Sequence, residues 1–334
     1  MDAKQAARDA IDRAAGDLVA LSHRIHAHPE LKFEETRASA WTAGVLADAG
    51  LPVEPGICDL PTAFASRVGT GPLHVAICAE YDALPGIGHA CGHNVIAAAA
   101  AGAGIALAPL VDDLGITVSV IGTPAEEGGG GKILLLERGA FDGVHASMMV
   151  HPAPFDDLRP RISAVSHLRV RYTGKEAHAA AAPERGVNAA DAFTVAQVAI
   201  GLLRQHLRAG DQVHGVVTHG GDVANVVPAH TEGVWMARAL TEERLQELRP
   251  RVENCFHAGA LATGAAVAIE EVSPTYAHME HDPDLVDVYR RQRSRRPAGP
   301  RRRTAGSRSR PTWATCRSRW RRSTRASASR RPGP

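Results

Sequence analysis

Chemistry-bearing side chains gather in two stretches of this chain. The first is Glu80-Tyr81-Asp82-Ala83-Leu84-Pro85-Gly86-Ile87-Gly88-His89-Ala90-Cys91-Gly92-His93-Asn94. Residues 73–79 before it form an apolar run that reads as a buried strand, and residues 95–110 after it follow an apolar, Ala-rich helical pattern. A Cys and a His two residues apart, on a strand-to-helix loop, sit where open α/β sheets place their ligands. Cys91 and His93 can face one point, as a thiolate and an imidazole on one divalent cation require. The competing reading is a buried cysteine beside a capping histidine. The second stretch, Thr123-Pro124-Ala125-Glu126-Glu127-Gly128-Gly129-Gly130-Gly131, follows another apolar run at 116–122. Neighbouring side chains on an extended segment point to opposite sides. One of the paired glutamates can therefore bind metal while the other faces substrate as a general base. His151, in Val150-His151-Pro152, offers a further imidazole. A phosphate loop fits poorly, because Ile133 follows Gly131-Lys132 where Ser or Thr would hold magnesium.

These residues need a scaffold, and 334 residues with 44% hydrophobic content suffice for two domains with real cores. No run approaches the 18 apolar residues of a membrane span, and the start lacks the pattern of a signal peptide. The five scattered cysteines form no disulfide framework. The expectation is a cytoplasmic protein without a membrane partner.

Apolar positions at helical spacing predict a helix over 4–28, ending at His28-Pro29, and a second over 36–50. Strands are predicted at 63–68, 73–79, 116–122 and 146–150. Alternating strands and helices imply a layered α/β catalytic domain with a central mixed sheet, covering 1–163 and regaining the chain at 274–289. Between them, residues 164–273 read strand-helix-strand-strand-helix-strand, the ferredoxin-like βαββαβ order. That order fits an inserted lid or dimerisation domain.

Charge divides the chain differently. The overall balance is +2, but residues 290–334 hold 17 Arg and no Lys, Asp or Glu. The stretch reads as a disordered basic tail or, less readily, as a nucleic-acid arm. A frame slip accounts for it better. Back-translating residues 311–324 and starting each codon at the third base of the one before admits Asp-Met-Gly-Asn-Val-Ser-Leu-Ala-Val-Ala-Ala-Ile-His-Pro. So many uncompensated arginines cannot cover a sheet. Apolar surface near 60–80 and 115–122 is therefore expected to be exposed.

His26-Ala27-His28-Pro29-Glu30-Leu31, the two stretches above, Val150-His151-Pro152, Ala177-His178-Ala179-Ala180 with Gly186-Val187-Asn188-Ala189, and Asn225-Val226-Val227-Pro228 occur in a specific order. Together they resemble the peptidase M20 metallohydrolases, particularly the amidohydrolase branch of aminoacylases, aminobenzoyl-glutamate hydrolases and certain dipeptidases. The resemblance implies a small amide or dipeptide substrate and two divalent ions, zinc or manganese, with cobalt possible. It implies that Cys91, His93, Glu127 and His151 hold them, with Cys91 bridging, that Glu126 is the general base, and that Asp82 orients His93. It further implies a homodimer formed through the smaller domain. His178 would then reach the partner's site to steady an oxyanion, while Asn225 and, more weakly, Arg185 contact substrate. The family carries a further His ligand near its C-terminus, whereas no His follows His281 here. The resulting expectation is a hydrolase whose activity is impaired.

Overall fold

The computed structural model describes residues 2–154, 157–294 and 310–316. Helix α1 (Ala3–Ala27) starts at Asp2, whose carboxylate accepts a hydrogen bond from the Lys4 amide at 3.2 Å, and it buries Ala10, Leu18, Leu21 and Ile25 along one stripe. Helix α2 (Thr36–Asp48) has no cap from its own first residues. The Glu30 carboxylate in the preceding loop supplies one, accepting from the Arg37 and Ala38 amides at 3.0 and 2.9 Å.

The chain continues through β1 (Glu54–Pro55), β2 (Phe64–Val68), β3 (Leu73–Ala79), α3 (His93–Leu107), α4 (Val111–Leu114), β4 (Ile116–Gly122), α5 (Gly131–Glu137) and β5 (Ala146–Ala153). Next come β6 (Ala164–Thr173), α6 (Ala189–Arg204), β7 (Gln212–His219), β8 (His230–Ala239), α7 (Glu242–Thr263) and β9 (Ala266–Glu271). Helix α8 (Pro283–Ser294) and strand β10 (Arg310–Cys316) are the last described elements.

Two sheets result. The first has the order β1-β2-β4-β3-β5-β10 and is mixed: β3 is parallel to β4 and β5, and the outer pairings are antiparallel. Because β3, β4 and β5 run the same way, their C-terminal ends come out along one edge, where ligand-binding loops gather. The second sheet is antiparallel throughout, in the order β7-β8-β6-β9. Its core combines Leu168 and Val170 of β6 with Phe193 of α6, Trp235 of β8 and Phe256 of α7.

Three expectations need correction. The apolar strands are covered, not exposed: Phe64, Ile77, Val118, Val120 and Ile121 are all buried. Helices α1, α2 and α3 pack on one face of the sheet, while α5, unforeseen in the sequence, brings Leu135 against Leu60, Ala63, Ala76 and Ile121 on the other. The 290–334 stretch is not uniformly disordered either. Helix α8 extends to Ser294, and Arg310–Cys316 pairs antiparallel with β5, Thr312 opposite His151. Thr312 to Thr315 contains β-branched and aromatic residues that suit a strand, and the open edge of β5 offers a template. The remaining residues of that stretch, and with them most of the 311–324 frame-slip segment, lie outside the described residues. Finally, His93–Leu114 is long and apolar enough to cross a membrane. It packs instead between α1 and the first sheet, as an Ala-rich core helix does.

Candidate metal centre

Three strand ends deliver the chemistry. Beyond β3, extended backbone places Glu80 and Asp82 two residues apart and so on one side. The chain then runs to Cys91 and to His93, the first residue of α3. Gly92 between them adopts φ 78°, in the left-handed region, and a Cβ there would lie 2.8 Å from the Pro152 Cγ. Only glycine lets the Cys91–His93 arm lie this close to the segment carrying His151. Beyond β4, Ala125 takes the left-handed φ of 54° and turns Glu126 and Glu127 back toward the same region. Its amide donates to the buried Glu35 carboxylate at 2.8 Å. His151 comes from β5 itself.

The donors converge. Cys91, His93 and Glu127 place one ligand atom each within 4.8 Å of one another, and so do Glu80, His93 and His151. The His93 Nδ1 lies 3.0 Å from Asp82 Oδ1, which leaves Nε2 facing the cluster. That atom is 3.4 Å from Glu80, 3.7 Å from Glu126 and 3.9 Å from Glu127. The His93 and His151 rings meet edge-on with centroids 5.9 Å apart. Glu80 Oε2, His93 Nε2 and Glu127 Oε1 are buried without a hydrogen-bond partner. Orphaned polar atoms that all face one point are costly in a bare protein, so this donor set fits a divalent cation. One imidazole nitrogen ligates one ion, so a second ion would draw on the remaining thiolate, carboxylates and imidazole.

Electrostatics bear the same mark. Burial would push the His93 pKa down, but the hydrogen bond to Asp82 and the charges of Glu80, Asp82 and Glu126 raise it to about 9. Burial works against the Asp82 carboxylate too, and its bonds to His93 and to the Glu127 amide nevertheless hold its pKa below the usual range. Burial, then the Glu127 hydrogen bond and carboxylate charges, pushes the Cys91 thiol up to about 12. Burial and the nearby Glu80 carboxylate raise Glu126 to about 7. In the metal-free protein, protons therefore sit on Cys91 and His93 where a cation would go. Metal binding should release about two protons per chain at neutral pH, and affinity should rise with pH. Calorimetry in two buffers of different ionisation enthalpy measures the release. Proton-neutral binding would show that neither Cys91 nor His93 is a ligand.

Of the residues singled out in the sequence, Cys91, His93, Glu127 and His151 come together, with Glu126 and Asp82 beside them. His178, Asn225 and Arg185 form a separate exposed group. The Ala179 amide donates to the Asn225 carbonyl at 2.9 Å, the Ala180 and Ala181 amides point at His178 Nδ1, and Arg185 ends the next turn. Among the described residues, no hydrogen bond or ion pair joins this group to the donor cluster. Two further members went unforeseen. Glu80 is a donor, and the Lys132 ammonium is ion-paired with it. The i, i+2 spacing of Glu80 from Asp82 was the signal that could have found the first.

The description "Peptidase family M20/M25/M40" matches residues 76–308. A mouse (Mus musculus) Xaa-Arg dipeptidase is 40% identical over 301 residues, covering 86% of this chain and 70% of the relative. A p-aminobenzoyl-glutamate hydrolase from Escherichia coli is 32% identical over 280 residues, covering 78% and 58%. The fold is shared with a Bacillus subtilis protein described as a dinuclear metal-binding peptidase of the M20 family. Its TM-score is 0.60 at 21% identity, with 83% of this chain and 79% of that one covered. The chain belongs to peptidase family M20/M25/M40 and is a metal-dependent hydrolase of amide bonds.

Proposed function

We propose that this protein cleaves the amide bond of a dipeptide or an N-acyl amino acid at a centre of two divalent ions, zinc or manganese. The observation that carries the reading is two groups of three donors that share His93, three of the five residues having orphaned buried atoms, next to a glutamate of raised pKa. Cys91, His93, Glu127, His151 and Glu80 would hold the ions. When bound, such ions lower the pKa of a water toward neutrality and polarise the amide carbonyl. Asp82 accepts from His93 Nδ1 and so fixes which nitrogen faces the centre. Lys132 holds one oxygen of Glu80 and leaves the other directed inward. Glu126, with its pKa near neutrality, takes a proton from the attacking water and returns it to the leaving amine. The mouse and E. coli relatives are named for a substrate ending in arginine and one ending in glutamate. Both leave a free α-carboxylate on the amine side, which suits recognition by Arg185 and Asn225.

The second sheet, with strands ordered 2-3-1-4 in its own sequence, supports a ferredoxin-like lid. We read it as the dimer contact, through which His178 reaches a partner's centre. His178→Ala should then lower kcat by about 10²–10³-fold with metal content unchanged, the scale of one lost oxyanion donor. Mixing that variant with a Glu126→Ala variant should restore part of the activity, since hybrid dimers contain one intact site. Absence of restoration in proven hybrids would place His178 outside the partner's site. The free thiols of Cys58, Cys91 and Cys255 support a reducing, cytoplasmic setting.

The decisive experiment loads the purified chain with zinc or manganese and offers dipeptides with C-terminal arginine, p-aminobenzoyl-glutamate and N-acetyl amino acids. Products are identified by mass spectrometry. Turnover that disappears with a chelator and returns with metal is expected. A metal-loaded chain that cleaves none of these substrates would overturn the proposal.

A further inference from the structure

The second sheet joins the first through two strands of chain, one leaving at Ala164 and one returning after Glu271. These connections are tied to each other. Val165 and Tyr276 exchange two backbone hydrogen bonds, at 2.9 and 3.0 Å, and the Val272 amide donates to the His167 carbonyl at 3.1 Å. The Ser273 hydroxyl lies 2.9 Å from His167 Nδ1, and the His167 ring meets the Tyr276 ring edge-on at 5.6 Å. The two connections are thus braced against each other at the base of the four-stranded unit.

From this junction the Tyr276 side chain crosses to the turn that carries Glu126. Its hydroxyl donates to the Glu126 carbonyl at 2.9 Å and accepts from the Gly130 amide at 2.7 Å. One oxygen thus closes the turn from Glu126 to Gly130. Burial pushes the Tyr276 pKa up to about 12, so the hydroxyl keeps its proton at any working pH. Gly130 has φ 70°, and a Cβ there would meet Pro274 at 3.1 Å and the Tyr276 ring at 3.3 Å. The turn and the returning segment are therefore in direct contact, with no room for a side chain between them. On its other side the same turn is held at Ala125 by the buried Glu35 carboxylate. Glu35 directly precedes helix α2, which packs in the core of the first sheet, so the turn is held from both units.

We infer that Tyr276 is a positioning residue that sets the turn carrying Glu126 from the segment returning out of the four-stranded unit. The inference rests on Glu126 being the general base. Val165 and Tyr276 are bonded to each other, and the Tyr276 hydroxyl ties that junction to the backbone of the turn, so the alignment of Glu126 depends on this contact. Geometry of this kind matters because a misplacement of about 1 Å at a reacting group costs about 10²-fold in rate.

Tyr276→Phe tests this, since it keeps the ring and removes only the hydroxyl. In the zinc-loaded full chain, kcat should fall by about 10- to 100-fold while KM stays within about twofold and bound zinc per chain is unchanged. In a Glu126→Gln background the same substitution should change kcat by less than about twofold, because no base is left to position. His167→Ala removes the ring that braces Tyr276 without touching the hydroxyl. It should give a smaller fall in kcat with the same dependence on Glu126, and it serves if Tyr276→Phe does not fold. Equal losses in both backgrounds would mark Tyr276 as merely structural and overturn the inference, as would a wild-type kcat in Tyr276→Phe. Glu126→Gln with a wild-type kcat by itself would remove the base assignment, and the inference would fall with it. That failure is visible before the second substitution is made.

Discussion

Replacing Glu126 with alanine in the metal-loaded protein is expected to lower kcat by about 10²–10⁴-fold, the range of general acid–base contributions, with metal per chain unchanged. The two glutamates of the turn are adjacent, yet they have different surroundings. Glu127 offers an orphaned, buried oxygen within the Cys91 and His93 group. Glu126 is more open, with a side-chain exposure of 37% against 19%, and its carboxyl is raised to about 7 by burial and by Glu80. A group of that pKa can both take and return a proton near neutral pH. Glu127→Ala should instead lose metal, and its activity should recover in part when metal is in large excess. Metal analysis beside steady-state kinetics separates the two. If Glu126→Ala lost the metal and Glu127→Ala kept it, the assignment of the pair would be reversed.

His93→Ala is expected to be the most damaging single change. Both donor groups use His93, so its removal should abolish stoichiometric metal binding and reduce turnover to background. The metal-free protein should suffer too. Glu80 and Asp82 are each 1% exposed, and the His93 imidazolium is central among the charges facing them. Taking one partner from a buried ion pair costs about 3–5 kcal/mol, because a desolvated charge is left uncompensated. Urea unfolding in the presence of a chelator measures that loss, and equilibrium dialysis measures the metal. A variant as stable as wild type would show that water, and not His93, satisfies these carboxylates.

Much of this was legible in the sequence, for physical reasons that can be named. Helical and two-residue periodicities marked α1, α2 and the four strands of the second sheet, while α3 was legible as a long apolar, Ala-rich run, because it is buried between α1 and the first sheet. That Cys91, His93, Glu127 and His151 lie close together was legible from their residue types at strand-to-loop junctions and from the family resemblance. Helix α5 was missed because it is seven residues long and opens in a run of glycines. Tyr276 was invisible because its partner Glu126 is 150 positions away and nothing local requires a tyrosine there. Lys132 suggests by its neighbours only a phosphate loop, which Ile133 argues against. Its actual partner, Glu80, sits at the end of β3, and sequence spacing cannot show that the two meet. His178, Asn225 and Arg185 were recognised as a set, and the fold does bring them to one end of the second unit. Among the described residues no hydrogen bond or ion pair joins them to the donor cluster, and periodicity is blind to such long-range relations.

Gly92 ligates nothing, yet it fixes how closely two arms of the centre approach. Cys91 and His93 stand on one arm, His151 and Pro152 on the other, and the space between them is less than a methyl group wide. The aperture offered to an ion is therefore set by steric exclusion as well as by the chemistry of the donors. A substitution at this single position changes no charge and removes no donor. It would still alter the bite of the site, so ion size could be tuned in this protein independently of ligand identity.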